Sequence, residues 1–441
     1  MSYVIIGGDA AGMSAAMQIV RTKDKPTVTV LEKGAYYSYG QCGLPYFLGG
    51  HLKEAEQLIA RPRSVFQEKY GIDARVFHEV QQVDPVEQIV YGIDHDKQQP
   101  FEMPYETLLV ASGGRPKILN LPGLDLDGVF PLKTIPDANN INHKLETAQN
   151  IVVVGGGYIG LEVAENFRER GKNVTIIQHS KQLASMIDAD LAELVHEEAK
   201  AKGINVHLEE AVVRLDGDTK VSYVTTDQGK YQADLVIMAT GLQPNTDFLP
   251  KEHFHLAPNG AVLVNAYMET SYPNVYAAGD CATQYNVVKK RQDYIPLGTT
   301  ANKQGQVAGR NMAGSVCTFK GITGTSIIRF FDLEIAKTGL SASECEQLGI
   351  PYKVAEQEAT DIAGYFANRE KMTVRLVYHA KNRTLLGGQI IGKHGVDKRI
   401  DVLSVALFHE MTIDALEDLD LSYAPPFNSV WDPLQQVARK Q

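Results

Sequence analysis

A strand, a glycine turn, a helix and a second strand follow one another twice in this chain, and that repeat limits the folds open to it more than any other feature. Tyr3-Val4-Ile5-Ile6 is a short apolar run ending at Gly7-Gly8. Met13, Ala16, Met17 and Val20 then recur at helical spacing, and Val28-Thr29-Val30-Leu31 restores a strand. The order returns in Ile151-Val152-Val153-Val154, the turn Gly155-Gly156-Gly157-Tyr158-Ile159-Gly160, a helix with Ile159, Val163 and Phe167 on one face, and Val174-Thr175-Ile176-Ile177. Each is a βαβ unit of the kind that holds a dinucleotide at its glycine turn. Both halves also close alike, because residues 108–113 and 235–241 read as buried strands stopped by glycine, with Pro116 and Pro244 just beyond.

The glycine spacing carries the chemistry. In Gly155-x-Gly157-x-x-Gly160 the first glycine permits the tight turn, the second lets backbone approach a pyrophosphate, and the third allows close helix-to-strand packing. The helix N-terminus then offers unpaired N–H groups to phosphate. In the first unit Gly7 and Gly12 keep the outer positions, with Gly8 and Ala11 between them, but Asp9 takes the middle one. A carboxylate there repels a diphosphate unless it points away or is offset by other charges. Glu32 ends the second strand about 20 residues past Gly12, where an acid accepts both hydrogens of a ribose diol. The matching position in the second unit is Gln178, followed by His179, Ser180 and Lys181. No carboxylate stands there to repel a ribose 2′-phosphate, so NADPH as well as NADH is open to this unit.

The 441 residues suggest about three domains. Val275-Tyr276-Ala277-Ala278-Gly279-Asp280 is a further strand with an acid at its carboxyl end. From about residue 325 the pattern changes to strand-like runs at Ile327-Ile328-Arg329-Phe330-Phe331, 374–377 and 385–391, then a helical stretch at 399–409. The expected fold is α/β, with two Rossmann-like dinucleotide-binding domains and a C-terminal α+β domain. The domains are placed at 1–112 with 245–322, at 113–244, and at 323–441. With 43 basic and 53 acidic residues the net charge is −10, and no Lys/Arg block tracks a phosphate backbone, which argues against nucleic acid. No apolar run approaches the ~18 residues of a membrane span and no basic leader precedes Met1 to Ile6, so a cytoplasmic location without membrane contact is expected. Cys42, Cys281, Cys317 and Cys345 are widely spaced, which supports neither a disulfide scaffold nor a metal site. Any cysteine chemistry then belongs to one reactive thiol.

Cys42 is the candidate. It lies in Tyr37-Ser38-Tyr39-Gly40-Gln41-Cys42-Gly43-Leu44-Pro45-Tyr46, where the chain is expected to turn into a helix whose N-terminus would stabilise a thiolate. A second cysteine five residues on would indicate an internal disulfide, but that position is Phe47. Cys42 must therefore pair with a thiol from outside or cycle through sulfenic acid. The other three cysteines read as small buried hydrophobes.

Taken together, Ile6-Gly7-Gly8 with Ala11-Gly12, the Gln41-Cys42-Gly43-Leu44-Pro45-Tyr46 run, Gly155 through Glu162, Ala278-Gly279-Asp280, Asp397-Lys398-Arg399-Ile400-Asp401-Val402-Leu403 and the tail Leu421-Ser422-Tyr423-Ala424-Pro425-Pro426-Phe427 carry a family resemblance. The chain resembles the class I pyridine nucleotide-disulfide oxidoreductase flavoproteins along nearly its whole length. Within them it resembles the branch of coenzyme A-disulfide reductases, NADH oxidases and peroxidases, and persulfide reductases. The resemblance implies FAD on the N-terminal unit, with Glu32 on the adenosine ribose and Asp280 on the ribityl chain, and NAD(P)H on the second. Cofactor contacts then fall on Gly7, Gly8, Ala11, Gly12, Glu32, Lys33, Val80, Ser112, Gly113, Arg115, Gly155, Gly157, Tyr158, Ile159, Gly160, Glu162, Gln178, His179, Gly241, Gly279, Asp280, Leu297 and Tyr423. Tyr158 looks like the family's aromatic gate over the flavin.

By the same resemblance, Cys42, Tyr365 and Tyr423 are catalytic, the two tyrosines reaching the partner subunit's site in a homodimer. Coenzyme A contacts fall on Ser14, Gln18, Arg21, Ser38, Gln41 and Asn302. Oxygen-reducing relatives carry a His within the first glycine turn, and here that place is Ala10. Gln41 stands where Asn is common, and Trp431 and Asp432 where some relatives offer a basic residue, so a smaller persulfide stays open beside coenzyme A disulfide. The expected activity is reduction of a small disulfide or persulfide by NAD(P)H through FAD and Cys42. An NADH oxidase working through a Cys42 sulfenic acid is the alternative, and a flavin-bound redox sensor a remote one.

Overall fold

The computed structural model describes residues 1–22 and 26–441. The first apolar run becomes the centre of a parallel sheet in the order Val275–Ala277, Thr107–Val110, Ser2–Ile6, Thr27–Leu31, Asp73–Arg75. Ile5 and Val30 are fully buried, as suits strands covered on both faces. A second parallel sheet repeats the design in the order Asn205–His207, Asn173–Ile177, Asn150–Val154, Leu235–Met238, Val129–Pro131. Where the chain passes from the first sheet to the second and back, Gly114–Pro116 and Leu242–Pro244 pair with each other antiparallel. The two crossings are thus tied together at one point.

The glycine turns of the two sheets are copies. Gly7 and Gly155 both have φ 110°, and a Cβ on either would run into the carbonyl of Ala111 or Ala239 on the neighbouring strand. A Cβ on Gly12 or Gly160 would run into the carbonyl oxygen of Gly7 or Gly155, so the helices Ala10–Ile19 and Tyr158–Glu169 can close onto their turns only at glycine. Gly160→Ala is expected to cost about 1–3 kcal/mol through this backbone clash. A thermal melt checks it against Gly157→Ala, whose Cβ meets nothing within 4 Å and should leave the melting temperature nearly unchanged.

The C-terminal part is an antiparallel sheet in the order Ser326–Phe330, Leu333–Gly339, Leu385–Gly392, Lys371–His379, Tyr352–Thr360. Helices Val396–Phe408, Ile413–Glu417 and Pro433–Ala438 cover it through Ile400, Leu403, Ile413 and Leu434. Buried Arg375 fastens this sheet to the second dinucleotide unit by pairing with Asp188 and Asp190 as well as Glu356. Asp188 also accepts from the backbone of Ala342 and Ser343 and from Gln389. The small antiparallel sheets His78–Asp84, Ile89–Asp94, Gln99–Pro104 and Val212–Gly217, Val221–Thr226, Lys230–Gln232 complete the two parallel-sheet units. Among the described residues, no helix is long and apolar enough to cross a membrane.

Candidate active site

One cavity of 3040 Å³ runs from the first glycine turn to the second, lined by Gly7, Gly8, Ala11 and Glu32 at one end and by Gly155, Gly157, Tyr158 and Gln178 at the other. Both ends are built for a dinucleotide. Glu32 is oriented by the backbone N–H groups of Gly8 (2.8 Å) and Gly34 (2.7 Å), each donating to one carboxylate oxygen, and lone pairs remain for a diol. Gln178 repeats this arrangement, its Oε1 accepting from Gly156 N at 3.0 Å while its amide donates to Ser180. Neither helix is capped by a side chain, since Asp9 and Gly157 at the N-cap positions make no cap hydrogen bond. The first N–H groups of both helices therefore stay available to phosphate oxygens. The open space at Gly157 leaves room for the backbone approach that a pyrophosphate needs. On these grounds the residues present fit FAD and NAD(P)H.

Asp9 had to point away from a diphosphate, and it does. Its Oδ2 accepts from Gln41 Nε2 at 2.7 Å and its Oδ1 from Tyr39 N at 3.2 Å, so the carboxylate faces the turn that carries Cys42. Enclosure pushes its pKa up to about 6, against the pull of those two donors and of Lys133. The turn is held from other sides too. Ser38, at φ 48°, donates its N–H to Gly8 O, and its carbonyl accepts from Ala60 N. A short 3₁₀ turn, Gln41–Gly43, then leads into the helix Leu44–Leu48, which packs Leu44, Phe47 and Leu48 into the core of the second unit. Arg170 from that unit donates to Leu48 O at 2.9 Å.

Cys42 lies where the two units meet, facing Lys133 and Glu162 from the second and Asp280 from the first. The protein groups around it disfavour the thiolate: partial enclosure by the cavity walls first, and then the Glu162 carboxylate, hold the thiol above its ordinary value, outweighing Lys133, although Cys42 itself is solvent-accessible. The helix that follows is only five residues long and supplies too little field to reverse this. Glu162 is itself pushed up to about 7 by burial and by Glu165 one turn along, while Tyr46 donates a hydrogen bond to it. Above pH 7 Glu162 is therefore an anion beside the thiol. Glu162→Gln removes that anion, so the midpoint of the pH profile for Cys42 alkylation by iodoacetamide, measured on reduced protein, is expected to move to lower pH.

The remaining residues expected to touch a cofactor are divided between the cavity wall and the layer behind it. Lys33, Val80, Ser112, Gly113, Arg115, Ile159, Glu162, His179, Gly241, Gly279, Asp280 and Leu297 line the same cavity as Cys42, whereas Gly12 and Gly160 lie behind it as packing glycines. Tyr158 stands with its hydroxyl against Ser326 of the C-terminal sheet. Of the expected substrate contacts, Gln41 and Asn302 line the cavity and Ser38 belongs to the Cys42 turn. Ser14 donates to Asn302 (2.8 Å) and Gln18 accepts from Arg310, which places them together on the neighbouring helices Ala10–Ile19 and Gly298–Met312, with exposed Arg21 just beyond. Tyr365 and Tyr423 do not line the cavity of their own chain. They are 73% and 48% exposed on the C-terminal domain, with their hydroxyls hydrogen-bonded to each other.

Sequence reasoning missed Lys133, which reaches Asp280 at 3.5 Å, and Glu165, fully enclosed and paired with Arg329. It also missed Gln304, whose buried amide accepts from Gly279 N and donates to Thr283 O, fixing the turn before Asp280. None of these lies in a glycine turn or beside a cysteine, so the sequence offered no local signal for them.

Two dinucleotide cradles converging on one thiol define a two-electron pyridine-nucleotide oxidoreductase. Residues 1–305 match the pyridine nucleotide-disulphide oxidoreductase family and residues 325–434 its dimerisation domain, and the chain belongs to this family. It is 38% identical over 441 residues to the NAD(P)H sulfur oxidoreductase (CoA-dependent) of Pyrococcus abyssi, covering 99% of this chain and 97% of that protein. It is 32% identical over 440 residues to the coenzyme A disulfide reductase of Staphylococcus haemolyticus, covering 99% and 98%. The structure of the water-forming NADH oxidase from Lactobacillus brevis bound to NADH matches with a TM-score of 0.96 at 29% identity, over 100% of this chain and 98% of that one. The family and fold class expected from the sequence are the ones found, and the chain is an enzyme of the NAD(P)H-dependent disulphide oxidoreductase class.

Proposed function

We propose that this enzyme reduces coenzyme A disulfide, or a related low-molecular-weight disulfide or persulfide, at the expense of NAD(P)H, as a cytoplasmic homodimer. The observation that carries the reading is the isolation of Cys42. The position a resolving cysteine would take is Phe47, buried in the core, and Cys281 and Cys345 are fully buried elsewhere. With Cys317 outside the cavity as well, any second sulfur the reaction uses comes from the substrate. Relatives named for coenzyme A-dependent sulfur reduction and for coenzyme A disulfide reduction support the choice of substrate. The dimerisation module supports the homodimer, and four free thiols accord with a reducing compartment.

In this reading the first cradle, with Glu32 and Asp280, holds FAD, and the second, with Gln178 and His179, holds NADPH or NADH. When bound, the nicotinamide supplies a hydride and the flavin the two-electron relay toward sulfur. Cys42 thiolate attacks one sulfur of the substrate, forming a mixed disulfide and expelling the other half as a thiolate. Tyr423 or Tyr365 of the partner subunit gives that thiolate its proton. The second thiol leaves when two electrons return to the Cys42 sulfur. Ser14, Gln18, Arg21, Ser38, Gln41 and Asn302 hold the rest of the substrate, and Arg21 suits a nucleotide phosphate. Gln178 brings no carboxylate against a 2′-phosphate, which leaves NADPH open beside NADH.

NAD(P)H consumption under air and under argon, with and without coenzyme A disulfide, tests the proposal. Consumption under argon that requires the disulfide and releases two thiols for each NAD(P)H is the expected result. Consumption only under air, indifferent to the disulfide, would instead establish the oxidase working through a Cys42 sulfenic acid. Negligible turnover with every acceptor would leave a flavin-bound redox sensor.

A further inference from the structure

We infer that Asp9 is a positioning residue for Cys42: the residue that interrupts the first glycine fingerprint uses its carboxylate to fasten the cysteine turn to the dinucleotide cradle through Gln41 and Tyr39. This rests on the reading of Cys42 as the redox thiol. An Asp at a helix N-cap ordinarily accepts from the second or third N–H of its own helix. Asp9 stands at that position of Ala10–Ile19 and makes no such bond. Its two oxygens are instead spent some 30 residues further along, on Gln41 Nε2 at 2.7 Å and Tyr39 N at 3.2 Å, which bracket the approach to Cys42.

The consequence is double. Helix N–H groups that an Asp would otherwise cap stay free for phosphate, and the turn next to the thiol gains two charge-assisted hydrogen bonds anchored in the rigid floor of the first sheet. Gln at position 41 belongs to the same device, because its amide spans the distance to Asp9 and is oriented by it. Its side chain lines the cavity and is also an expected substrate contact, so Asp9 acts on the substrate through Gln41 as well as through the backbone.

The test uses the FAD-loaded dimer of Asp9→Ala, Asp9→Asn and Gln41→Leu. Four quantities are read: bound flavin per chain, KM for NAD(P)H, kcat for thiol release from coenzyme A disulfide, and the rate of Cys42 alkylation by iodoacetamide. A turn displaced by an ångström is expected to lower kcat by ~10- to 100-fold. Asp9→Ala and Gln41→Leu should show that loss together with an altered alkylation rate, while flavin content and KM for NAD(P)H hold. Asp9→Asn should restore both, since the Asn oxygen still accepts from Tyr39 N and the Gln41 amide can turn over to accept from the Asn amide.

Loss of flavin in Asp9→Ala with an unchanged alkylation rate would overturn the inference, assigning Asp9 to the cradle alone. So would wild-type values throughout, or an Asp9→Asn variant as impaired as Asp9→Ala. The alkylation readout needs no substrate. It therefore separates failure of this inference from failure of the proposed reaction, which full turnover by Cys42→Ser would reveal.

Discussion

Cys42→Ser is expected to lower thiol release from coenzyme A disulfide by at least ~10³-fold while the dimer keeps its full complement of flavin. A serine hydroxyl cannot exchange with a disulfide at neutral pH, and no other cysteine is placed to substitute. Cys281 and Cys345 are fully buried, with thiols pushed up to about 11 and about 12, and Cys317 lies near Arg310, outside the cavity. Thiol release measured under argon, with flavin content read from the visible spectrum, checks the prediction. Retention of wild-type thiol release would remove Cys42 from the chemistry. The variant matters because the isolated chain holds the Cys42 thiol above its ordinary value. Among the groups around it Lys133 favours the thiolate, while the short helix Leu44–Leu48 adds little.

The fold was legible where local chemistry permits only one arrangement. Gly7, Gly12, Gly155 and Gly160 mark turns that no other residue can occupy, so the two parallel sheets could be placed from the sequence. Strands without continuous apolar runs escaped: Tyr352–Thr360 is an edge strand in which only Ala355 and Ala359 are buried and Lys353, Val354, Glu356 and Glu358 are exposed, and His78–Asp84 alternates too irregularly, with a bulge between Val80 and Gln82. At the site, residues held by local motifs were found and those held by tertiary approach were not. Lys133 meets Asp280 across 147 positions of chain, and Glu162 meets Tyr46 only because the helices Leu44–Leu48 and Tyr158–Glu169 pack together. The surroundings of Cys42 were hidden in the same way: the helix that follows it is local, whereas the enclosure that acts first against its thiolate, and then the Glu162 carboxylate on Tyr158–Glu169, come from tertiary approach.

Arg399→Met is expected to destabilise the C-terminal domain by about 3–5 kcal/mol, because it strands a buried carboxylate. The Arg399 side chain is 1% exposed, and its guanidinium donates to Asp432 Oδ2 (3.0 Å), Gly395 O (2.9 Å), Asp361 O (2.9 Å) and Asn428 Oδ1 (3.1 Å). Those partners begin loop 361–370, which carries Tyr365, and close the tail that carries Tyr423. The loop and tail are joined again by Ala363 N donating to Pro425 O, and Asn428 donates back to Ser422 O. Arg399 and the tail entered the sequence argument as separate stretches of family likeness, and the guanidinium is the physical link between them. Removing it should therefore lower thermal stability and slow thiol release together, by freeing both tyrosines. Arg399→Met combined with Asp432→Asn removes the stranded charge and should regain part of the melting temperature, but not the thiol-release rate, since neither loop recovers its anchor. If the single variant melts with the wild type, or the double variant recovers the rate along with the stability, the guanidinium is not what holds the two tyrosines in place.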